Sequence, residues 1–303
     1  MTATTAGAGA ATGDLSAADK AAVLIEALPY LRRFAGSVVV VKYGGNAMPA
    51  GGEGAAGSAE LALFAEDVVL LHSVGLQVVV VHGGGPQIGA LMARLGKVPE
   101  FVDGLRVTDA DTLDIVRMVL VGKVNRDIVG AVNVHGSLAV GVSGEDAGLL
   151  LARPSTPELG FVGHVEAVDP GILQRLLATG IIPVLATIGS DAEGQAFNIN
   201  ADTAAGAVAE ALAADKLVYL TDVEGLRAEP DDPETLLSAV TADDLDRLVA
   251  TGAVSGGMIP KVESAAKAVR GSVGRAHILD GRIPHVLLLE IFTRSGIGTM
   301  VDP

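Results

Sequence analysis

The chain of 303 residues has no cysteine and no tryptophan, only 3 % aromatic residues, and 36 acidic against 21 basic side chains. Each shortage excludes something. Without cysteine there are no disulfides, no thiolate nucleophile and no cysteine-type zinc site, which fits a reducing compartment. The six histidines are scattered, and none falls in an HExxH spacing. A formal net charge of −15 argues against a nucleic-acid groove or an anionic membrane surface as partner. No apolar run approaches the ~18 residues that a membrane span needs. With half the composition apolar but so few aromatics, the core must be Val, Leu, Ile and Ala, as one large α/β domain or as two lobes.

The usual nucleotide and nucleophile signatures are missing too. There is no GxxxxGK[ST], no GxGxxG behind a strand, no GxSxG, and no kinase HRD or DFG set. What is present is a repeated device. Residues 38–41 are four valines, apolar on both faces and too short for a helix, and they run into Lys42-Tyr43-Gly44-Gly45-Asn46. That reads as a central parallel strand ending in a glycine turn. Gln77-Val78-Val79-Val80-Val81 runs likewise into His82-Gly83-Gly84-Gly85-Pro86. Two such turns at one sheet edge form an anion cleft in which Lys42 adds a full charge; either turn alone is as well read as ordinary punctuation.

The remaining pattern alternates helices and strands. Residues 1–15, mostly Ala, Thr and Gly, read as a disordered tail and not a signal peptide. Ser16 with Asp19 forms a helix start, and Pro29 should kink or interrupt that helix near Leu28 before it resumes. Such a helix either covers its own domain or docks on another subunit. A glycine-rich excursion over 49–57 precedes a helix through 61–71. Thr108 is the expected cap of a helix through Leu120, and Asp169-Pro170 opens another that Gly180 closes. Strands are expected at 138–142, 161–168, 181–186, 216–220, 277–279, 286–292 and 297–301, with 161–168 either a strand or a hairpin arm. Asn198, Asn200 and Asp202 lie at alternate positions ahead of an alanine-rich helix, as caps or as ligand contacts. Residues 229–234 read as an acidic loop, and Thr241 with Asp244 caps a helix that stops at Gly252. Gly256-Gly257-Met258 enters a helix whose first turn holds Lys261, aimed at an anion or at solvent. Arg106 suits bidentate capture of a carboxylate or phosphate, or a surface ion pair. Lysines, one arginine and glycine turns without a general base match phosphoryl transfer to an acceptor that is already ionised.

These residues carry a resemblance. Lys42-Tyr43-Gly44-Gly45-Asn46-Ala47-Met48, His82-Gly83-Gly84-Gly85-Pro86, Gly104-Leu105-Arg106-Val107-Thr108, Asn198-Ile199-Asn200-Ala201-Asp202 and Gly256-Gly257-Met258-Ile259-Pro260-Lys261 make the chain similar to the acetylglutamate kinases of the amino-acid kinase family. The resemblance runs from Ser16 to Val301. It implies a three-layer αβα sandwich with an open, mostly parallel sheet, an N-lobe over 37–196 for N-acetylglutamate and a C-lobe over 197–303 for ATP. It implies catalytic roles for Lys42, Lys261 and Asp202, and substrate contacts from Gly83, Gly84, Gly85, Arg106, Asn198 and Asn200. Nucleotide contacts are implied for Gly44, Gly45, Thr221, Asp222, Val223, Glu224, Gly225, Gly256, Gly257 and Met258. Magnesium would arrive with ATP and have no dedicated protein ligands.

The chain further resembles the arginine-inhibited members. That likeness implies a cytoplasmic homohexamer, a trimer of dimers joined by the helical arm 16–36, and an L-arginine site at Tyr30, Lys216, His277, Glu290 and Gly296. Rival readings are a sibling kinase for another carboxylate, or a non-catalytic arginine-sensing subunit, although a sensor needs none of Lys42, Asp202 and Lys261. Whether a nitrogen-signalling PII-type protein docks on the chain is left open.

Overall fold

A computed structural model describes residues 16–44, 55–229, 232–254, 256–293 and 296–303, with the side chains of residues 55–58 and 233 excepted. The expectations for the 1–15 tail, for Gly45 and residues 46–54, and for part of the 229–234 acidic loop lie outside the described residues.

The valine runs form the centre of one sheet. Strands β1 (Val38–Tyr43), β2 (Gln77–His82), β3 (Ala139–Ser143), β4 (Ile182–Ala186), β5 (Lys216–Thr221), β6 (Ala239–Thr241), β7 (Arg275–Asp280) and β8 (Thr299–Asp302) lie in the order β6-β8-β7-β5-β1-β2-β4-β3. All neighbours are parallel except β7 and β8. The β1–β2 register pairs Val38 with Gln77 and Tyr43 with His82, so the two glycine turns leave the sheet side by side. Because successive side chains alternate faces, Val39 and Val41 enter one apolar cluster while Val40 enters the other. A strand buried on both faces has no polar side to show, which is why it reads as an unbroken valine run.

Helices cover both faces. They are α1 (Ala17–Phe34), α2 (Ala55–Ser73), α3 (Gly85–Arg94), α4 (Ala110–Arg117), α5 (Asn125–Asn133), α6 (Gly171–Ala178), α7 (Ala201–Ala211), α8 (Ala242–Ala250), α9 (Met258–Gly271) and α10 (Val286–Phe292). Phe64, Ile88, Leu113, Ile128 and Ile291 bring α2, α3, α4, α5 and α10 onto one face. Leu173, Val208, Leu245 and Val262 bring α6 to α9 onto the other. The result is the αβα sandwich expected. A smaller closed sheet of Leu150–Pro154, Val162–Val168, Ile188–Ser190 and Ala196–Ile199 stands beside it and carries Asn198.

Four local expectations are corrected. Residues 286–292 form the helix α10, not a strand: Val286, Leu287 and Ile291 are buried on one helical stripe, and a short apolar run cannot separate the two by pattern. Thr108 does not cap α4. Asp109 does, accepting from the Thr112 N–H at 2.8 Å, while Thr108 is fully buried. That helix does not continue as α-helix to Leu120 but passes at Met118 into a π-helical stretch ending at Val124. Finally, α1 is not interrupted near Leu28 but continues through Pro29 to Phe34. Proline removes the bond to the Ile25 carbonyl, but Ile25 is exposed and α1 buries none of its residues, so water can take that carbonyl. The Ser16–Asp19 capping box forms as expected.

Leu185, fully buried in β4, tests the packing. Leu185→Ala is expected to lower unfolding free energy by roughly 2–5 kcal/mol, through lost burial and the cavity left behind. A urea midpoint unchanged from the parent would refute it.

Candidate active site

Lys42 is the fifth residue of β1, and its neighbours in the strand hold it inside the protein, 6 % exposed. Across the sheet, Asn200 caps α7 by accepting from the N–H groups of Asp202 and Thr203 at 2.9 and 3.1 Å. That cap sets Asp202 in the first turn. Asp202 Oδ1 lies 2.9 Å from Lys42 Nζ and 2.9 Å from Lys261 Nζ. Lys261 comes from the first turn of α9 and is 4 % exposed, so it does not face solvent.

A second set of groups fixes this triad. Ser264, one turn beyond Lys261, donates to the Asp202 carbonyl at 2.9 Å, and the Tyr219 hydroxyl is 2.9 Å from Ser264 Oγ. Lys261 Nζ also lies 5.1 Å from the centre of the Tyr219 ring. Gly206 permits the approach of α9 to α7, since a Cβ there would stand 2.2 Å from Ser264 Oγ. Sequence reading missed Ser264 and Tyr219. The spacing of Ser264 from Lys261 was the available signal.

Two cations share one carboxylate, and the titration behaviour follows. Burial pushes the Asp202 carboxyl up, but the charges of Lys42 and Lys261 outweigh it and hold the group below the usual carboxylate range. Burial, followed by the charge of Lys42, pulls Lys261 down to about 8 against the opposing attraction of Asp202. Both shifts are downward, so the charged form of Asp202 is favoured and that of Lys261 disfavoured: the carboxylate meets two cations, whereas Lys261 is desolvated and meets one cation and one anion.

Beside the triad is a cavity of about 210 Å³. Lys42, Asp202, Asn198, Asn200, Arg106 and the turn Gly83 to Gly85 line it. Gly44 packs so near this turn that a Cβ on it would lie 3.1 Å from Gly83 N, and its φ of +155° lies in the region that glycine tolerates. The half-buried Arg106 donates to the Gly85 carbonyl at 3.0 Å and stacks 4.8 Å from the Phe101 ring centre. Among the described residues no carboxylate pairs with it. Asn198 donates to Thr108 Oγ1 at 3.2 Å, and Thr108 to the Arg106 carbonyl at 2.8 Å, so these three move as one piece.

A second cavity, about 320 Å³, holds Asp222, Val223, Glu224, Gly225 and Met258. Thr221, Gly256 and Gly257 are adjacent in the chain but not in its lining. A third, about 480 Å³, lies at the other end of β5 and gathers Tyr30, Lys216, His277, Glu290 and Gly296, with Phe34 and Arg275 in addition. Lys216 Nζ is 2.9 Å from His277 Nε2. His277 Nδ1 is 2.8 Å from Glu290 Oε1, at an angle that falls short of a hydrogen bond. Glu290 Oε2 accepts from the Ile297 N–H at 2.8 Å. Burial pulls Lys216 down to about 8 while Glu290 opposes it.

A buried lysine pair on one aspartate, beside glycine turns at the carboxyl ends of parallel strands, defines a phosphate-handling α/β protein. A profile of the amino acid kinase family matches residues 37–280, and the chain belongs to that family. Within it, the chain is 53 % identical over 298 residues to an acetylglutamate kinase of Symbiobacterium thermophilum, covering 95 % of this chain and 99 % of the relative. It also resembles a solved N-acetylglutamate synthase of Neisseria gonorrhoeae, complexed with coenzyme A and N-acetyl-glutamate, with a TM-score of 0.79 and 32 % identity. That match covers 93 % of this chain, which spans only 63 % of the synthase. The same synthase complexed with coenzyme A and L-arginine gives a TM-score of 0.78 and 31 % identity, over 93 % of this chain and 65 % of that one.

Asp202→Asn leaves two buried ammonium groups facing each other without an anion. The substitution is expected to cost about 3–5 kcal/mol of stability, read from chemical denaturation, and to be relieved in part by added phosphate. Parental stability would show that the triad is not electrostatically bound.

Proposed function

We propose that the chain catalyses ATP-dependent phosphorylation of the γ-carboxylate of N-acetyl-L-glutamate to N-acetyl-L-glutamyl 5-phosphate, the second step of arginine biosynthesis. The observation that carries this reading is the pair of ammonium groups held 2.9 Å from one carboxylate oxygen, where Lys42 and Asp202 line a cavity that also presents the Arg106 guanidinium, with which no carboxylate among the described residues pairs. In a chain of net charge −15, such a local excess of buried positive charge fits an anionic ligand.

Lys42 and Lys261 would meet the transferring phosphoryl group, and Asp202 holds both in place without touching it. Arg106 would take the α-carboxylate of the substrate, with Asn198 on its amide. A γ-carboxylate is ionised at neutral pH, so it attacks the γ-phosphorus directly and no base is required. The new carboxylate oxygen to phosphorus bond forms as the bond to the bridging oxygen breaks, and ADP leaves. Positioning and charge neutralisation then carry the rate.

In this reading residues 37–196 hold the acyl amino acid and 197–303 the nucleotide, which occupies the cavity of Asp222 to Gly225 and Met258. Magnesium comes with ATP. Asp222 and Glu224 line that cavity and suit outer contacts to a hydrated ion, which keeps most of its ligands from water and phosphate. Among the described residues no helix is long and apolar enough to cross a membrane, and a cytoplasmic enzyme is the reading adopted. The 480 Å³ cavity is assigned to L-arginine as feedback inhibitor: Glu290 would face the guanidinium and Lys216 the carboxylate. The exposed Val23, Leu24 and Ile25 of α1 support a homohexamer in which α1 joins dimers.

Incubation with ATP, magnesium, N-acetylglutamate and hydroxylamine traps an acyl phosphate as a coloured hydroxamate. Product from acetylglutamate but not glutamate, suppressed by L-arginine, is expected. Lys42→Ala should lower turnover at least 100-fold while changing ATP affinity much less, as for removal of one transition-state donor. Hydroxamate unaffected by arginine would remove the inhibitory site alone, and none with any acyl amino acid would remove the enzyme. Separately, deletion of residues 1–34 is expected to convert hexamers into dimers in sedimentation velocity, and a persisting hexamer would refute the role of α1.

A further inference from the structure

Residues 78–81 of β2 are valines, and the strand then ends in His82, an imidazole with no exposed surface. Burying a polar ring in place of a fifth valine costs free energy unless both nitrogens find partners. They do. His82 Nδ1 is 2.9 Å from the Gly83 carbonyl, and Nε2 is 3.1 Å from Asn125 Nδ2. Asn125 Nδ2 also donates to the Val184 carbonyl at 2.8 Å, and Asn125 Oδ1 accepts from the Arg126 guanidinium.

These partners assign the protons. A guanidinium only donates, so the Asn125 oxygen faces Arg126 and its amide nitrogen faces His82. An amide nitrogen also only donates, so His82 Nε2 must accept and the imidazole proton lies on Nδ1. Nδ1–H then donates to the Gly83 carbonyl. Burial holds the ring's pKa near 4, so the neutral form persists at neutral pH.

The carbonyl held in this way belongs to the peptide plane that joins Gly83 to Gly84. Since the plane is rigid, fixing the carbonyl also fixes the Gly84 N–H on the opposite side. Gly84 and Gly85 open α3, where N–H groups lack intrahelical acceptors, and both line the 210 Å³ cavity with Lys42. The turn is braced from behind. A Cβ on Gly84 would stand 2.7 Å from Leu120 and 3.2 Å from Val124, both in the π-helical stretch that ends just before Asn125. A π turn adds one residue, which rotates all later side chains by about 100° relative to a continuous α-helix. That rotation is what turns Asn125 toward His82.

We infer that His82 and Asn125 are positioning residues for the phosphoryl-transfer reaction: through the Gly83 carbonyl they set the direction of the Gly84 N–H, which receives the reacting anion. The inference rests on the assignment of that cavity to the acyl substrate. It makes the π-helical stretch part of the catalytic apparatus, although no side chain of it need touch the substrate.

The test is hydroxamate kinetics on the full chain with three variants. His82→Leu keeps bulk and removes the donor, and is expected to lower kcat about 10–100-fold, the scale of a positioning error near 1 Å, with the KM for ATP nearly unchanged. His82→Asn places an amide N–H where imidazole Nδ1–H stood and should restore most of kcat. Asn125→Asp replaces the donor with an acceptor and moves the imidazole proton to Nε2, so that Nδ1 presents a lone pair to the Gly83 carbonyl. It should lower kcat as His82→Leu does and shift the ¹⁵N resonances of His82 to the other tautomer. Leu and Asn variants that are folded and equally slow would reduce His82 to packing and overturn the inference, as would undiminished kcat in Asn125→Asp. That last variant decides the matter if His82→Leu fails to fold. No hydroxamate from the unmodified chain would instead overturn the reaction assignment beneath it.

Discussion

One carboxylate holds two buried lysines, and most of the molecule can be understood from the difficulty of that arrangement. Three charges with a net of +1 are withdrawn from water, which is costly unless the geometry is good and the remaining polar atoms are satisfied. The fold supplies the geometry by rigid means. Lys42 is carried by a central strand buried on both faces, Asp202 by a capped helix start, and Lys261 by a helix tied to the Asp202 backbone through Ser264. The residual positive charge is what an incoming phosphate would neutralise, so the binding reaction and the relief of the internal imbalance are the same event.

The composition serves that end. Few aromatics and much alanine let elements approach closely, as at Gly206, where α7 and α9 touch through Ser264. A stacked aromatic pair, Tyr43 and Phe64 with ring centres 4.0 Å apart, sits beside the end of β1 and closes the side of the strand that bears Tyr43. The acidic surface and the cationic cleft oppose one another in sign, which concentrates attraction for an anion in one place.

Strand β5 joins the two ends of the molecule. It begins at Lys216 on the 480 Å³ cavity and finishes at Thr221, one residue before Asp222 on the 320 Å³ cavity. Six residues of extended chain span less than about 20 Å. Helix α10, which carries Glu290, is anchored separately at its start by a 2.6 Å contact of His285 Nδ1 with the buried Asp67 of α2. The cavity assigned to arginine is thus framed by the sheet on one side and by a pinned helix on the other.

Much of this was readable from the linear chain, because the strongest signals are local. A β-branched valine run followed by glycine reads as a buried strand and a turn, and two such runs placed Lys42 and Gly83 to Gly85 at one edge. Capping residues announced α1 and α8 for the same reason. Elements whose identity depends on neighbours were not readable: 286–292 became helix α10 because its partner surface accepts a helical stripe, and Thr108 yielded the cap to Asp109 because it was needed inside to hold Asn198. The site shows the same division. Residue type and spacing singled out Lys42 and Lys261 as candidate anion contacts and Asp202 as a cap or ligand contact, and the resemblance implied their catalytic roles, but only the packed structure shows that one oxygen serves both lysines, since they lie 219 positions apart in the chain. Nor could any sequence pattern assign the proton on His82, which is decided by Asn125 and Arg126 through a π-helical turn. The chain by itself determined the elements whose signals are local; tertiary contact decided the rest and which polar atoms met, because hydrogen bonds act over about 3 Å and sequence does not measure distance.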